Sequence, residues 1–183
     1  LLGDPSISIA IGEGEKKTAK AIQEQIPAIG LAGIWNFVKK GTATLIEDFN
    51  RIEWRGRIVR VIVDSDVWHD HDPKKESTRQ QPMYALAKLL EERGAKVVFV
   101  ILPASEAGKV GLDDFLINHS KEDLDALPII TIADAPLARH ESWWKGWKLK
   151  REFKDAECWP DPEAIPAGLL PVPPLNPCLI PAS

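Results

Sequence analysis

The chain has 183 residues, 44% of them hydrophobic and 27% charged, with a formal net charge of −4. Such a length makes one domain with a tail, and the composition excludes a wholly disordered or collagen-like chain. The mild acidity argues against holding nucleic acid by bulk electrostatics alone, though not against meeting phosphates through a bound cation.

No apolar run approaches the roughly 18 residues of a membrane span, and no basic-then-apolar leader opens the chain. A soluble, cytoplasmic protein without membrane contact is therefore expected. The chain starts at Leu1, its one methionine is Met83, and ten of its 15 prolines lie at or after Pro128. Both cysteines, Cys158 and Cys178, sit in that proline-rich part, without the spacing of a zinc site. We expect a segment of a longer protein: a globular domain over 1–135, then a basic and aromatic stretch with a proline-rich linker over 136–183. Charge divides likewise, with 17 Lys+Arg against 21 Asp+Glu in 1–135 and six of each beyond.

In chain order, β-branched residues alternating with small ones predict a strand over 6–12. Gly12–Gly14 forms a turn, and 15–26 reads as an amphipathic helix with Ala19, Ile22 and Ile26 on its buried face. A short strand over 28–31 ends near Gly33, and a helix is expected near 44–51. Residues 58–63 are the clearest strand in the chain, and its end meets Asp64-Ser65-Asp66. A polar loop then precedes a helix over 82–93, for which Pro82 suits the first turn and Gly94 the C-terminal end. A strand over 96–102, a loop bracketed by glycines, short helices at 111–119 and 121–127, and a strand over 128–132 complete the domain. This alternation predicts an α/β fold, a mainly parallel central sheet flanked by helices, followed by an irregular tail.

In such sheets the chemistry lies beyond the carboxyl ends of the strands. Glu13 follows the first strand, Asp64 and Asp66 follow the third, and Asp113 and Asp114 follow the fourth after a loop. Two aspartates at i and i+2 can converge on one hard cation, and Mg²⁺ accepts one or two carboxylates, waters and a substrate phosphate. A glutamate from the neighbouring strand then serves as general base or helps a second metal, as in-line phosphoryl or nucleotidyl transfer requires. Alternatively, Asp64 and Asp66 cap the following segment and Glu13 merely neutralises a helix N-terminus.

The segments 11–22 (IGEGEKKTAKAI), 29–37 (IGLAGIWNF), 61–67 (VIVDSDV) and 108–116 (GKVGLDDFL) together resemble the Toprim-like domain of unknown function of phage and plasmid primase–helicases. The resemblance covers residues 5–127. It implies a Rossmann-like Toprim fold, Mg²⁺ (or Mn²⁺) as cofactor, and primer synthesis from nucleotides on single-stranded DNA in a bacterial, phage or plasmid setting. Carried over, Glu13 takes the place of the catalytic glutamate and Asp64 and Asp66 that of the metal-binding pair, with Asp113 or Asp114 accessory. Gly14, Lys16, Lys17, Asn36 and Ser65 would adjoin the substrate. The tail resembles the lead-in to a helicase-like ATPase domain, although no GxxxxGK[ST] sequence occurs in this chain.

Other readings compete. A metal-dependent nuclease would use the same site, and a non-catalytic module would bind nucleic acid or a partner. A haloacid-dehalogenase-type phosphohydrolase also carries DxD after a hydrophobic strand, but there the nucleophile strand normally comes first. His69-Asp70-His71-Asp72 either adds ligands or forms a solvated loop. Residues 139–154 interleave four aromatics with six cations: they grip single-stranded nucleic acid, or dock an amphipathic helix, the reading we favour. Trp35 and Trp54 are expected to pack, and Gly12, Gly14, Gly30 and Gly33 to let the chain turn at strand ends.

Overall fold

The computed structural model describes residues 1–69, 72–106 and 108–152. Five strands, β1 (Ile9–Glu13), β2 (Ala28–Leu31), β3 (Ile58–Ile62), β4 (Lys96–Val100) and β5 (Ile129–Ile130), form one sheet in the order β2-β1-β3-β4-β5. β1 to β4 are parallel and β5 is antiparallel to β4. Helices α1 (Glu15–Gln23), α2 (Asp66–His69), α3 (Pro73–Glu91), α4 (Leu112–Asn118), α5 (Lys121–Asp125), α6 (Ala135–Ala138) and α7 (Glu141–Glu152) complete the elements, with a 3-10 helix at Glu47–Arg51. The domain is α/β and Rossmann-like. No helix among the described residues is long and apolar enough to cross a membrane.

The alternating strand residues divide the core into two layers. Ile9, Ile11, Val59, Val61, Val97 and Phe99 face one apolar cluster, which includes Met83, Leu86 and Leu90 of α3 and Trp144 and Trp147 of α7. Ala10, Ile62 and Val100 face the other, filled by Ala21 of α1 and Leu112, Phe115 and Leu116 of α4. Both faces are covered, which is why β3, apart from Arg60, and β4 after Lys96 read as apolar runs rather than alternating ones.

Several local expectations shift. Ala19 is exposed and Ile22 is 58% exposed, whereas Ala21 is buried. The cause lies at the helix end: α1 stops at Gln23, Gln25 takes φ 58, and Ile26 enters the core from the turn beyond. The long helix starts at Pro73 rather than Pro82, with Asp72 as its N-cap accepting from the Lys74 N–H at 3.0 Å. Pro82 lies within α3, and α2 occupies the start of the expected loop. Of the four glycines, Gly14 has a positive φ, 99°. Gly12 and Gly30 instead permit close approach, since a Cβ would stand 3.0 Å from the Ile62 carbonyl oxygen and 2.3 Å from Thr18 Oγ1 respectively.

Packing also continues past residue 135. Leu137, Trp144 and Trp147 belong to the larger core cluster, so α6 and α7 extend the domain rather than lead away from it. Trp147 stacks on Trp35 at 5.6 Å between ring centroids, and Trp54 donates from Nε1 to the Phe49 carbonyl at 2.7 Å. Both tryptophans pack as expected, and α7 docks on its tryptophan face. Phe153, Lys154, Cys158, Cys178 and the proline-rich tail lie outside the described residues.

The Arg139–His140 link just before α7 reaches α3 through a polar knot around a buried glutamine. Gln80 is fully buried, its amide donating to the Val67 carbonyl at 3.1 Å and to Glu76 at 2.9 Å. Its carbonyl oxygen accepts from Arg139 at 2.8 Å and from His140 Nε2 at 3.2 Å. Burial first, then the Arg139 charge, hold the His140 imidazole below its ordinary pKa, against the opposing pull of Glu76. The folded chain thus keeps His140 neutral, while the unfolded chain protonates it below about pH 6.5. Stability is expected to fall as pH drops through about 6.5 toward the folded-state value. Urea unfolding at pH 7.5 and 5.5 should show the loss in the wild type and a shallower one in His140→Gln.

Candidate functional site

The strand order reverses direction between β1 and β3: the chain passes from β1 outward to β2, then returns to the other side of β1. Ligands of open α/β sheets bind at such a point, beyond the carboxyl ends of the two strands. Glu13 ends β1 and is exposed, while Asp64 and Asp66 follow β3. Beside Glu13 a small apolar recess between the sheet and α3 is lined by Ile11, Leu31, Val61, Val63, Met83 and Leu86; Asp64 and Asp66 do not line it.

Asp64 is the electrostatic centre. Its side chain is 13% exposed, Lys17 of α1 binds Oδ1, and Lys109 binds Oδ2 at 2.8 Å. Burial by itself raises a carboxyl pKa, but hydrogen bonds from Lys109 and Lys17 outweigh it and hold Asp64 below the usual carboxylate range. The same contact raises the Lys109 ammonium, with the charges of Asp66 and Glu13 adding to it. Three of the predicted carboxylates therefore act on one ammonium. Asp66, the first residue of α2, pairs with Arg79 at 3.1 Å.

The remaining predicted residues divide. Asp114 is exposed and caps α4, accepting from the Gly111 N–H at 3.0 Å. Asp113 carries a buried Oδ1 with no hydrogen-bond partner among the described residues. A Cβ on Gly111 would lie 2.7 Å from that oxygen and 2.9 Å from Lys17 Cε, which puts Asp113 beside the Lys17 stem. Ser65 is 2% exposed: its N–H donates to the Val110 carbonyl and its Oγ accepts from the Val110 N–H, each at 2.9 Å. That reciprocal pair clamps the loop bearing Lys109 to the end of β3. Gly14 is the N-cap of α1, Lys16 is exposed on its first turn, and Asn36 is exposed in the turn after β2. His69 Nε2 lies 3.1 Å from the Leu102 carbonyl oxygen, Asp72 caps α3, and Asp70 and His71 fall outside the described residues.

Among the described residues no three His, Cys, Asp or Glu side chains form a group that could hold a metal ion between them. The partner that sequence reasoning missed is Lys109. It stands inside the 108–116 motif, but a contact across 45 residues leaves no local periodicity to read.

These features define an α/β domain whose acidic site, at the point where the strand order reverses, is held by internal lysines. The chain belongs to the family described as "Domain of unknown function (DUF3854)", whose model matches residues 1–123. No curated protein matches it, and no solved structure does.

Proposed function

We propose that this domain is a Toprim-like module of a DNA-replication primase–helicase, carrying out Mg²⁺-dependent nucleotidyl transfer in primer synthesis. One observation carries the reading: Glu13 and the Asp64–Asp66 pair stand at the carboxyl ends of two adjacent parallel strands, where Asp64 takes Lys17 and Lys109 on its two oxygens. A site that gathers an ammonium has the hard oxygen donors that Mg²⁺ favours. The buried, unpartnered Oδ1 of Asp113 beside Lys17 is a further oxygen of the same kind. Asp64 and Asp66 would hold the ion, with Asp113 in support. Bound there, Mg²⁺ would neutralise phosphate charge and align the attacking and leaving oxygens.

The chain's own groups do the rest. Glu13, exposed at the end of β1, accepts the proton of the attacking hydroxyl. Lys17 and Lys109 place positive charge where a triphosphate would lie, and Gly12, whose Cβ would meet the Ile62 carbonyl, lets β1 and β3 lie close together at this end of the sheet. Single-stranded DNA, nucleotides and a helicase-like ATPase domain in the same chain are the partners this role requires.

The test is a primer-synthesis assay with labelled nucleotides, Mg²⁺ and single-stranded DNA. The wild type should extend primers, and Glu13→Gln should lower the rate by about 100-fold or more, the usual worth of a general base. Shortening of labelled DNA, equally dependent on Glu13, would identify a nuclease instead. Absence of any Glu13-dependent product would overturn a catalytic role.

A further inference from the structure

Asp64 presents both of its oxygens to ammonium groups, Oδ1 to Lys17 and Oδ2 to Lys109 at 2.8 Å. A divalent ion therefore finds both oxygens of Asp64 already held, and one lysine has to withdraw first. The two are unlike. The Lys17 side chain is 22% exposed and its stem runs beside Gly111 and Asp113. The Lys109 side chain is 64% exposed, so its ammonium can leave Asp64 and be fully hydrated at little cost. Backbone geometry favours the same division. Val110, the next residue, is pinned to Ser65 through both its N–H and its carbonyl, while Gly108, the preceding one, takes φ 126. The side chain can swing while its Cα stays at the crevice.

We infer that Lys109 is a built-in counter-cation that closes Asp64 to divalent ions, withdraws when one binds, and then meets the substrate's phosphate. This rests on the metal-dependent reading proposed above, and deepens it by assigning how the site's negative charge is reduced without the ion and how substrate binding and metal binding assist one another. With Lys109 on Asp64, two ammonium groups offset the field of three carboxylates, which would otherwise repel one another across the crevice. When the ion takes Asp64, the displaced ammonium adds a positive charge at a fixed reach from it, the place where a polyphosphate bridges metal and protein. A triphosphate that holds Lys109 away from Asp64 then tightens the ion, and the ion frees Lys109 for the triphosphate, as linkage requires.

The experiment is Mn²⁺ titration of the whole chain followed by calorimetry and by the electron paramagnetic resonance of free Mn²⁺. Lys109→Met should bind Mn²⁺ about fivefold more tightly than wild type, the size of a screened surface charge pair. Lys20→Met, which removes a cation from the same side of the domain but is paired with Glu24, should leave the affinity unchanged. Inorganic tripolyphosphate, titrated with Mn²⁺ present, should bind Lys109→Met about fivefold more weakly. Equal Mn²⁺ affinity in wild type and Lys109→Met, with uptake still abolished by Asp64→Asn, would overturn the inference and leave the metal-dependent reading standing. Equal tripolyphosphate affinity would overturn the phosphate contact. If wild type and Lys109→Met both take up no Mn²⁺ through Asp64, the functional reading falls and the inference falls with it.

Discussion

Arg57→Met is expected to lower folding stability by about 3 kcal/mol, a large share of what a domain of this size possesses. Arg57 is fully buried, and its guanidinium is met by backbone carbonyls. Nε donates to Glu53 at 2.7 Å, one terminal nitrogen to Ile7 at 2.6 Å, and the other to Leu2 at 2.8 Å and Leu1 at 3.2 Å. These carbonyls belong to the segment before β1 and to the turn before β3, so the side chain staples the N-terminal segment to the sheet. Methionine preserves most of the volume, which confines the loss to the acceptors left unmade. Each buried orphan costs about 1–3 kcal/mol, reduced where water can reach it. Lysine should not restore the loss, because a single ammonium cannot meet acceptors spread around a planar fork. Urea unfolding followed by circular dichroism measures the change. A midpoint equal to that of wild type would show that the carbonyls are satisfied without the arginine.

Trp147→Ala is expected to cost about 3–5 kcal/mol, as large-to-small changes at buried aromatics do. Trp147 is 8% exposed and its ring stacks on Trp35 at 5.6 Å and on Trp144 at 5.1 Å, with the Arg151 guanidinium 4.0 Å from its centroid. Removing it leaves a gap between α7 and the 34–37 segment, and the neighbouring rings lose a stacking partner at once. The same urea experiment applies, and Trp147→Phe should recover part of the loss. The residue lies outside the span matched by the family, 1–123, yet inside the apolar cluster that includes β1, β3 and α3. A chain shortened to the family boundary would therefore expose Trp35 and the α3 surface, and would be a poor substitute for the longer one.

β3 and β4 were legible because inner strands covered on both faces are rich in apolar residues, and Val, Ile and Phe supply all but Arg60 and Lys96. The positions of Glu13, Asp64 and Asp66 followed from the same pattern, since chemistry-bearing side chains at strand ends need only the strand ends to be found. The start of α3 was not legible. Residues 74–81 are all polar, the buried Gln80 included, so they show no apolar period, and Pro82 mimicked a first-turn proline. The true signal was Asp72-Pro73, the same cap-and-proline pair nine residues earlier. Ile22 misled for the opposite reason: its spacing fits a buried face, but α1 ends before Ile26 can share that face with it. The Lys109–Asp64 pair and the Gln80–His140 knot join residues 45 and 60 positions apart, and no local rule reaches that far.

The reciprocal bonds between Ser65 and Val110 have a consequence for how the loop can vary. They tie residues 64–66 to 110–114 at the carboxyl ends of β3 and β4 by two hydrogen bonds of equal length, 2.9 Å. Insertions among 103–106, upstream of that joint, would hang from it as slack and leave the lysine and the aspartates in place. One residue added between Val110 and Asp113 would rotate α4 about its own axis and carry Asp113 off the Lys17 stem. The loop thus has a tolerant half and an intolerant half, and the dividing mark is a single serine hydroxyl.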